Sequence, residues 1–349
     1  MEVFIIYFEK ELLNKSISIL MKTGLKRKEA EIASDILVTA DKRGIDTHGL
    51  SKLPIYIKRI QSGAIDIKAK PEVIKEKKGV AVIDANNCLG QITGYAGAKK
   101  AIELAKEHYW SSVFVRNSNH FGIASYYSML AAKEGMIGIT LSNANPTMSP
   151  YGGKKAMLGT NPISVAIPTR LDFPIVLDMA TSTVARGKII MAAKKGNSIP
   201  NGWALTKNGK KTVSAEEALH GMLTPLGGPK GSALAMVIDI FCGVLAGGHY
   251  LTEIGPLFTQ LDRGQSVGHF FAVLNVEAII SLSEYYSVIE SYIKSVKNCP
   301  PVEGDQVFLP GELEYLTSQK HISGGIPLNN SVIEELNQTA LSLGLGELF

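Results

Sequence analysis

Residues 111–122, "SSVFVRNSNHFG", combine the features that indicate the fold class. The apolar residues of the first half predict a β-strand over 111–117. This strand runs into a loop of asparagine and serine side chains around His120, and a helix is predicted over about 123–134. Strands and helices alternate on both sides of this unit, which predicts a mixed α/β (α+β) fold.

The rest of the chain follows the same alternation. Apolar periodicity predicts helices over 9–21 and 27–42, and a third helix through "LSKLPIYIKRIQSG" (50–63), for which Asp46 and Thr47 are natural N-caps. Further strands are predicted at 71–77, 79–85, 137–146, 162–168, 174–180 and 268–276. Further helices are predicted at 93–108, 181–195, 230–246, 282–297 and 330–343.

Composition and charge exclude several classes of protein. The chain has 349 residues, 45% of them hydrophobic, which is enough for more than one packed unit. A net charge of +4 is too small and dispersed for a nucleic-acid-binding surface. Three cysteines without metal-like spacing favour a reducing compartment, and we expect a cytoplasmic protein. The start of the chain carries Glu2 and no cleavage-site pattern, and Asp239 interrupts the longest apolar stretch, so neither a signal peptide nor a membrane span is expected.

The common nucleotide-binding motifs are absent from the sequence. No G-x-G-x-x-G follows a predicted strand, and no G-x-x-x-x-G-K-[ST] occurs. A dinucleotide, if one binds, is therefore not held by the ordinary Rossmann fingerprint.

His48 lies in "GIDTHGLSK" (44–52), at a corner between two predicted helices. Taken alone, such a histidine more often bonds a nearby carbonyl group and has a structural role. Thr47, Gly49 and Lys52 favour a general acid–base role, because a helix N-terminus next to a lysine is suited to a carboxylate.

His120 allows the same two interpretations, a turn cap or a functional group in a loop after a strand. Three further loops could contact a ligand, although each is equally explained by ordinary turn chemistry. They are "YGGKKAMLGTNP" (151–162), "LDMATSTVARGK" (177–188) and "GGPKG" (227–231).

Seven ordered segments together resemble the malate/L-lactate dehydrogenase family of the non-Rossmann type, over roughly nine tenths of the chain. They are "RGIDTHG" (43–49), "RNSNHFGIASYY" (116–127), "SPYGGKKAMLGTNPIS" (149–164), "LDMATSTVARGK" (177–188), "IPNGWALTKNGK" (199–210), "PLGGPKGSALAMVIDI" (225–240) and "GHFFAVLNV" (268–276). The resemblance implies a non-Rossmann NAD(P)-binding fold with a central mixed α/β cofactor-binding region (71–279). A helical N-terminal region (1–70) is expected to pack with a C-terminal region (280–349).

The resemblance also implies roles for individual positions. His48 corresponds to the family's proton donor and acceptor, Thr47 to a residue that touches the substrate, and His120 to a second active-site histidine that some members use as the base. The positions that correspond to cofactor-contacting segments are Ala144, Asp178, Met179, Ala180, Lys230, Gly231, Pro310, Gly311 and Glu312. Family members are typically homodimers, and no metal is implied.

The implied activity is hydride transfer between NAD or NADP and a small 2-hydroxy/2-oxo acid, with malate (oxaloacetate) or lactate favoured. Lys52 occupies a position where many relatives carry arginine, so the identity of the acid stays open. The alternatives are another 2-oxo, ureido or cyclic imine acid, or a nucleotide-binding protein without catalysis. The choice between NAD and NADP, the histidine that donates the proton, and the physiological direction also stay open.

Overall fold

The computed structural model describes residues 3–349, so Glu2, used above against a signal peptide, lies outside the described residues. Twelve strands are present in the described part: β1 (Phe4–Tyr7), β2 (Glu72–Lys77), β3 (Val80–Asp84), β4 (Trp110–Ser118), β5 (Met136–Ser142), β6 (Ile163–Ile167), β7 (Ile175–Met179), β8 (Ala204–Leu205), β9 (Lys211–Thr212), β10 (Met222–Leu223), β11 (Val267–Asn275) and β12 (Ile326–Asn329). Eleven α-helices accompany them: α1 (Glu9–Lys22), α2 (Arg27–Lys42), α3 (Leu53–Gln61), α4 (Gly90–His108), α5 (Ala124–Ala132), α6 (Arg186–Lys194), α7 (Ala215–Leu219), α8 (Pro229–Asp239), α9 (Leu282–Lys297), α10 (Glu312–Gly324) and α11 (Asn330–Ser342).

A seven-stranded sheet forms the centre of the molecule, in the order β2-β3-β4-β11-β5-β6-β7. Only β3 and β4 run parallel, and β11 is antiparallel to both of its neighbours, β4 and β5. This order differs from the doubly wound parallel sheet of Rossmann folds. The predicted mixed α/β class is therefore confirmed.

Small residues let α4 pack closely on this sheet. Ala98 and Ala101 are buried there, and a Cβ at Gly97 would lie 2.5 Å from the ring of Phe271 on β11. The alanine-rich sequence of α4 is thus explained by a close helix–sheet approach.

The N-terminal helices have a core that is separate from that of the sheet. Leu12 of α1, Leu37 of α2 and Leu53 of α3 are fully buried in one apolar cluster, which also contains Leu328 of β12 and Leu336 of α11. The two ends of the chain meet there, because β1 pairs with β12. The helix α9 packs elsewhere: its Ile293 lies in a small apolar cluster with residues of β7 and of the segment before α10. The proposed division into N-terminal, central and C-terminal regions stays a prediction.

Several elements differ from the sequence-based expectation, because β1, β8–β10, β12 and α7 were not predicted and three longer helices deviate. The helix predicted over 181–195 begins at Arg186, because Thr181 and Thr183 instead bond the backbones of Thr160 and Pro225. The helix predicted over 230–246 is α8, followed by a π-helical turn at Ile240–Val244. The helix α10 was not predicted.

Candidate active site

Two short 3₁₀ turns, Asp46–His48 and Leu50–Lys52, join α2 to α3 and carry the first set of candidate residues. The prediction that Asp46 and Thr47 cap the third helix is wrong, since α3 begins only at Leu53. A side chain of α2 holds this corner instead: Oδ2 of Asp41 accepts the Leu50 N–H at 2.7 Å.

Asp41 also explains the glycine after His48. A Cβ at Gly49 would lie 1.9 Å from Asp41 Oδ1, so only glycine fits above the buried carboxyl group. Burial raises the pKa of Asp41 to about 8, which keeps the group mostly protonated at neutral pH. A neutral carboxyl group can stay under this corner without a counter-charge.

The structure brings the two candidate histidines together. His48 comes from the corner after α2, and His120 comes from the loop after β4. Their rings are stacked, with centroids 5.5 Å apart and planes inclined by 27°. The Thr47 hydroxyl group lies 3.0 Å from Nδ1 of His48. One small substrate can therefore touch both imidazoles.

Two residues that the sequence analysis missed hold His120 in place. The Tyr56 hydroxyl group lies 2.6 Å from Nδ1 of His120, and the His120 main-chain N–H donates to Oε1 of Gln265 at 3.0 Å. Tyr56 follows Lys52 by four residues, which places both on one face of the helix predicted over 50–63. That spacing was the available signal for Tyr56, whereas Gln265 lies 145 residues from His120 and has no local signal.

Both imidazoles are neutral at physiological pH. Burial, with a smaller effect of the Lys52 charge, lowers the pKa of His48 to about 4. Burial, His48 and Lys52 together hold the pKa of His120 well below its ordinary value. A neutral imidazole has a free nitrogen that can accept a proton, so the arrangement suits a general base.

Lys52 is the cation of this site. Its charge lowers the pKa of both histidines, and the burial of its ammonium group lowers its own pKa, which Glu335 opposes. The Lys52 ammonium group lies 5.4 Å from the centroid of the Phe258 ring. A cleft of about 660 Å³ opens beside it, with Phe258 and Glu335 among the lining residues.

The segments predicted to contact the cofactor are joined by hydrogen bonds and by close packing. The Ala144 N–H donates to Oδ1 of Asn161, and the Thr181 N–H donates to the Thr160 carbonyl group at 2.9 Å. A Cβ at Gly231 would lie 2.6 Å from the Thr181 carbonyl oxygen, so glycine lets the start of α8 lie against this segment. Lys230 is exposed in the first turn of α8.

Asp178, at the end of β7, links these segments to the histidines. Its Oδ2 accepts the Ser125 N–H at 3.2 Å, at the start of the helix that follows the His120 loop. Met179 and Ala180 continue β7 toward Thr181 and are partly buried.

The segment Pro310–Glu312 packs against the same strand. The Pro310 carbonyl group accepts the Val176 N–H at 2.9 Å, and Gly311 has a φ of +84°. The Glu312 carboxylate lies 2.8 Å from the Lys297 ammonium group and also accepts the Leu309 N–H. The side chain of Glu312 is thus already used to hold the start of α10.

Residues 3–349 contain neither a cluster of metal-binding side chains nor a membrane-spanning helix. No group of three or more His, Cys, Asp or Glu side chains there is arranged to hold a metal ion. None of the helices in this range is both long and apolar enough to cross a membrane.

Comparison with known proteins identifies the family. The profile of the malate/L-lactate dehydrogenases matches residues 9–337. The chain belongs to this family. The resemblance inferred from the seven sequence segments is therefore confirmed.

Individual relatives match over almost the full length. The malate dehydrogenase of Pyrococcus horikoshii is 40% identical over 338 residues, which cover 94% of this chain and 93% of that protein. The sulfolactate dehydrogenase structure from Methanocaldococcus jannaschii superposes with a TM-score of 0.92 at 35% identity, covering 98% of each chain. The ureidoglycolate dehydrogenase (NAD⁺) of Escherichia coli K12 is 32% identical and covers 92% of each chain.

Proposed function

We propose that the protein is an NAD(P)-dependent dehydrogenase that interconverts a small 2-hydroxy acid and its 2-oxo acid, with malate and oxaloacetate as the favoured pair. The observation that carries the proposal is the pair of stacked, neutral imidazoles of His48 and His120 beside the Lys52 ammonium group. An acid–base pair next to a carboxylate-binding cation is what oxidation of a hydroxy acid requires.

The substrate class is supported by the chemistry of the relatives' substrates. Malate, sulfolactate and ureidoglycolate, named for the three relatives above, all carry a hydroxyl group next to a carboxylate. They differ in the rest of the molecule, so a shared site must recognise the hydroxy-acid end. Lys52 is suited to the carboxylate and His48 to the hydroxyl group.

The residues present fit a nicotinamide dinucleotide. The first turn of α8 offers the Lys230 ammonium group at a helix N-terminus, which favours phosphate. Gly231 and Gly311 bring main chain close to β7 and Thr181, where a side chain would clash. The names of two relatives specify a cofactor. The ureidoglycolate dehydrogenase of Escherichia coli uses NAD⁺, and a sulfolactate dehydrogenase of Chromohalobacter salexigens uses NADP⁺.

Bound nicotinamide supplies the hydride chemistry, and the protein supplies orientation and proton transfer. In the oxidative direction, neutral His48 accepts the hydroxyl proton as the carbonyl group forms. In the reductive direction, protonated His48 returns that proton, and its charge stabilises the developing alkoxide. His120, held by Tyr56, polarises the substrate oxygen, and Lys52 holds the carboxylate. A bound carboxylate offsets the Lys52 charge and so raises the pKa of both imidazoles.

The decisive experiment follows the absorbance of NADH and NADPH with the purified protein and a panel of 2-oxo acids. Oxaloacetate, 3-sulfopyruvate and pyruvate form the panel, and the reverse reaction uses the matching hydroxy acids. We expect turnover with oxaloacetate that depends on one of the two cofactors. Cofactor binding without turnover of any acid in the panel would favour a nucleotide-binding protein without catalysis.

We also propose a homodimer and a cytoplasmic location. An exposed apolar face runs along α8 and the π-helical turn, formed by Met236, Val237, Ile240, Val244 and Leu245. An exposed face made of several large apolar side chains is typical of an interface between subunits. Light scattering after gel filtration tests the dimer, and Val237→Glu should shift the protein toward the monomer.

A further inference from the structure

Arg59 on α3 is a fully buried arginine that bonds only main-chain carbonyl groups. Its Nη1 donates to the Leu257 carbonyl group at 3.2 Å and to that of Gln260, and its Nη2 donates to the Arg263 carbonyl group at 3.0 Å. All three acceptors belong to one loop, residues 254–266, which runs into β11. One guanidinium group thus fastens this whole loop to α3.

The loop 254–266 contacts the candidate active site at two places, beside His120 and beside Lys52. Near its end, Gln265 accepts the His120 N–H through Oε1 and donates through its own main-chain N–H to Oδ1 of Asn119. Near its start, Phe258 places its ring 5.4 Å from the Lys52 ammonium group. A shift of the loop therefore moves the main chain at His120 and the wall beside Lys52 together.

Two separate paths of contacts connect α3 to His120. Tyr56 and Arg59 lie one turn apart on α3. Tyr56 reaches the His120 ring directly at 2.6 Å, and Arg59 reaches the His120 main chain through the loop and Gln265. Opening the loop would break the charge-assisted hydrogen bonds from Arg59 to the Leu257, Gln260 and Arg263 carbonyl groups together, which is unfavourable. The hydrogen bonds of Arg59 therefore keep the loop closed.

We propose that Arg59 is a positioning residue that holds the loop 254–266 as the substrate-side wall of the active site. The expected effect of Arg59 on catalysis rests on the proposed function. The contact between Arg59 and the loop 254–266 does not depend on that function. Arg59 touches neither substrate nor cofactor, and it acts through Gln265 on His120 and through Phe258 on the surroundings of Lys52.

Limited digestion with trypsin tests the contact without any activity assay. Trypsin cleaves after arginine, and the carbonyl group of the Arg263–Gly264 bond is one that Arg59 holds, while the Arg263 side chain is exposed. We expect Arg59→Ala to be cut at this bond at least about tenfold faster than wild type, because cleavage follows the population of the open loop. The matched control is Lys58→Ala, which removes an exposed cation from the preceding position of the same helix. Mass spectrometry identifies the fragment that ends at Arg263.

Kinetics test the consequence for the site. We expect Arg59→Ala and Arg59→Lys to raise KM for the 2-oxo acid about tenfold while KM for the cofactor changes less than about twofold. Lysine should fail to replace arginine, since one ammonium group cannot span three carbonyl groups. Added methylguanidine should restore both the resistance to trypsin and the KM of Arg59→Ala, whereas methylamine should not.

The outcomes separate the two proposals. Unchanged cleavage at Arg263 in Arg59→Ala overturns the positioning role, and so does faster cleavage with an unchanged KM. If wild type turns over no acid in the panel, the proposed function fails while the digestion still decides the Arg59 contact. If Arg59→Ala does not fold, Gly255→Ala disturbs the same loop from its start, since a Cβ there would lie 3.2 Å from the main-chain Cα of Gln265. That variant should show the same rise in cleavage and in KM, and wild-type behaviour would overturn the proposal.

Discussion

Replacing Tyr56 with phenylalanine removes one oxygen atom and keeps the ring that fills the space under the corner. Tyr56 is 1% exposed, so its ring stays packed in the same place in the variant. The lost contact is the 2.6 Å hydrogen bond to Nδ1 of His120. The next polar neighbour of that nitrogen is the Gly122 N–H at 3.4 Å, which is too long to replace it.

The size of the effect depends on the charge of His120 during the reaction. A hydrogen bond between neutral groups contributes about 0.5–1.5 kcal/mol, which corresponds to a loss in kcat of up to about tenfold. A bond to a charged imidazolium contributes about 1.5–3 kcal/mol, or a loss of roughly 10- to 100-fold. Because the proposed mechanism keeps His120 neutral, we expect the smaller loss.

The assay is kcat at saturating cofactor and oxo acid, together with the midpoint of thermal unfolding. The matched control is Tyr126→Phe, which removes a hydrogen bond of the same length, 2.6 Å, from the Asp35 carboxylate. The control should keep its kcat. A folded Tyr56→Phe protein with kcat within twofold of wild type would refute the role of Tyr56, and a loss of roughly 10- to 100-fold would show that His120 carries charge.

Three further predictions concern single residues. His48→Ala should lower kcat by a factor on the order of 10²–10⁴ with cofactor affinity nearly unchanged, and turnover that survives there but disappears in His120→Ala would reverse the two roles. Lys52→Arg should lower KM for the oxo acid several-fold, because guanidinium binds carboxylate through two parallel bonds; an unchanged KM would show that Lys52 does not hold that group. Burial lowers the pKa of His269 from 6.5 to about 3, so its contribution to stability is complete above pH 6.5 and is lost as the pH falls toward 3. Urea unfolding should therefore show that wild type loses about 2 kcal/mol more than His269→Asn between pH 7 and pH 5, and equal losses would contradict the buried neutral state.

Elements with strong local periodicity were predictable from the sequence. The ranges of α1 and α2 match the apolar stripes, and β4 and α5 match the strand predicted over 111–117 and the helix predicted over about 123–134. The helix α10 was missed because its apolar residues form no buried stripe: Leu313, Leu316 and Ile322 are all exposed. Periodicity detects a buried face, and a helix without one gives no such signal.

The site was predictable only where a residue's own neighbours carry the information. His48 and His120 were proposed from the turns around them and from the family resemblance. The sequence did not indicate the roles of Asp41, Gln265 and Arg59. Each of these side chains bonds a main-chain group of another element, and the sequence around the residue does not reveal that contact. The caps expected at Asp46 and Thr47 failed for the same reason, since a side chain from α2 already satisfies the corner.

The position of β11 sets the order in which the protein can be completed during synthesis. The strand lies between β4 and β5 but follows β5 in the chain by more than a hundred residues. Until Asn275 has left the ribosome, β4 and β5 each expose an open edge that another chain can pair with. Nascent or truncated chains that end before Val267 should therefore depend on chaperones, while the full-length protein closes its own sheet.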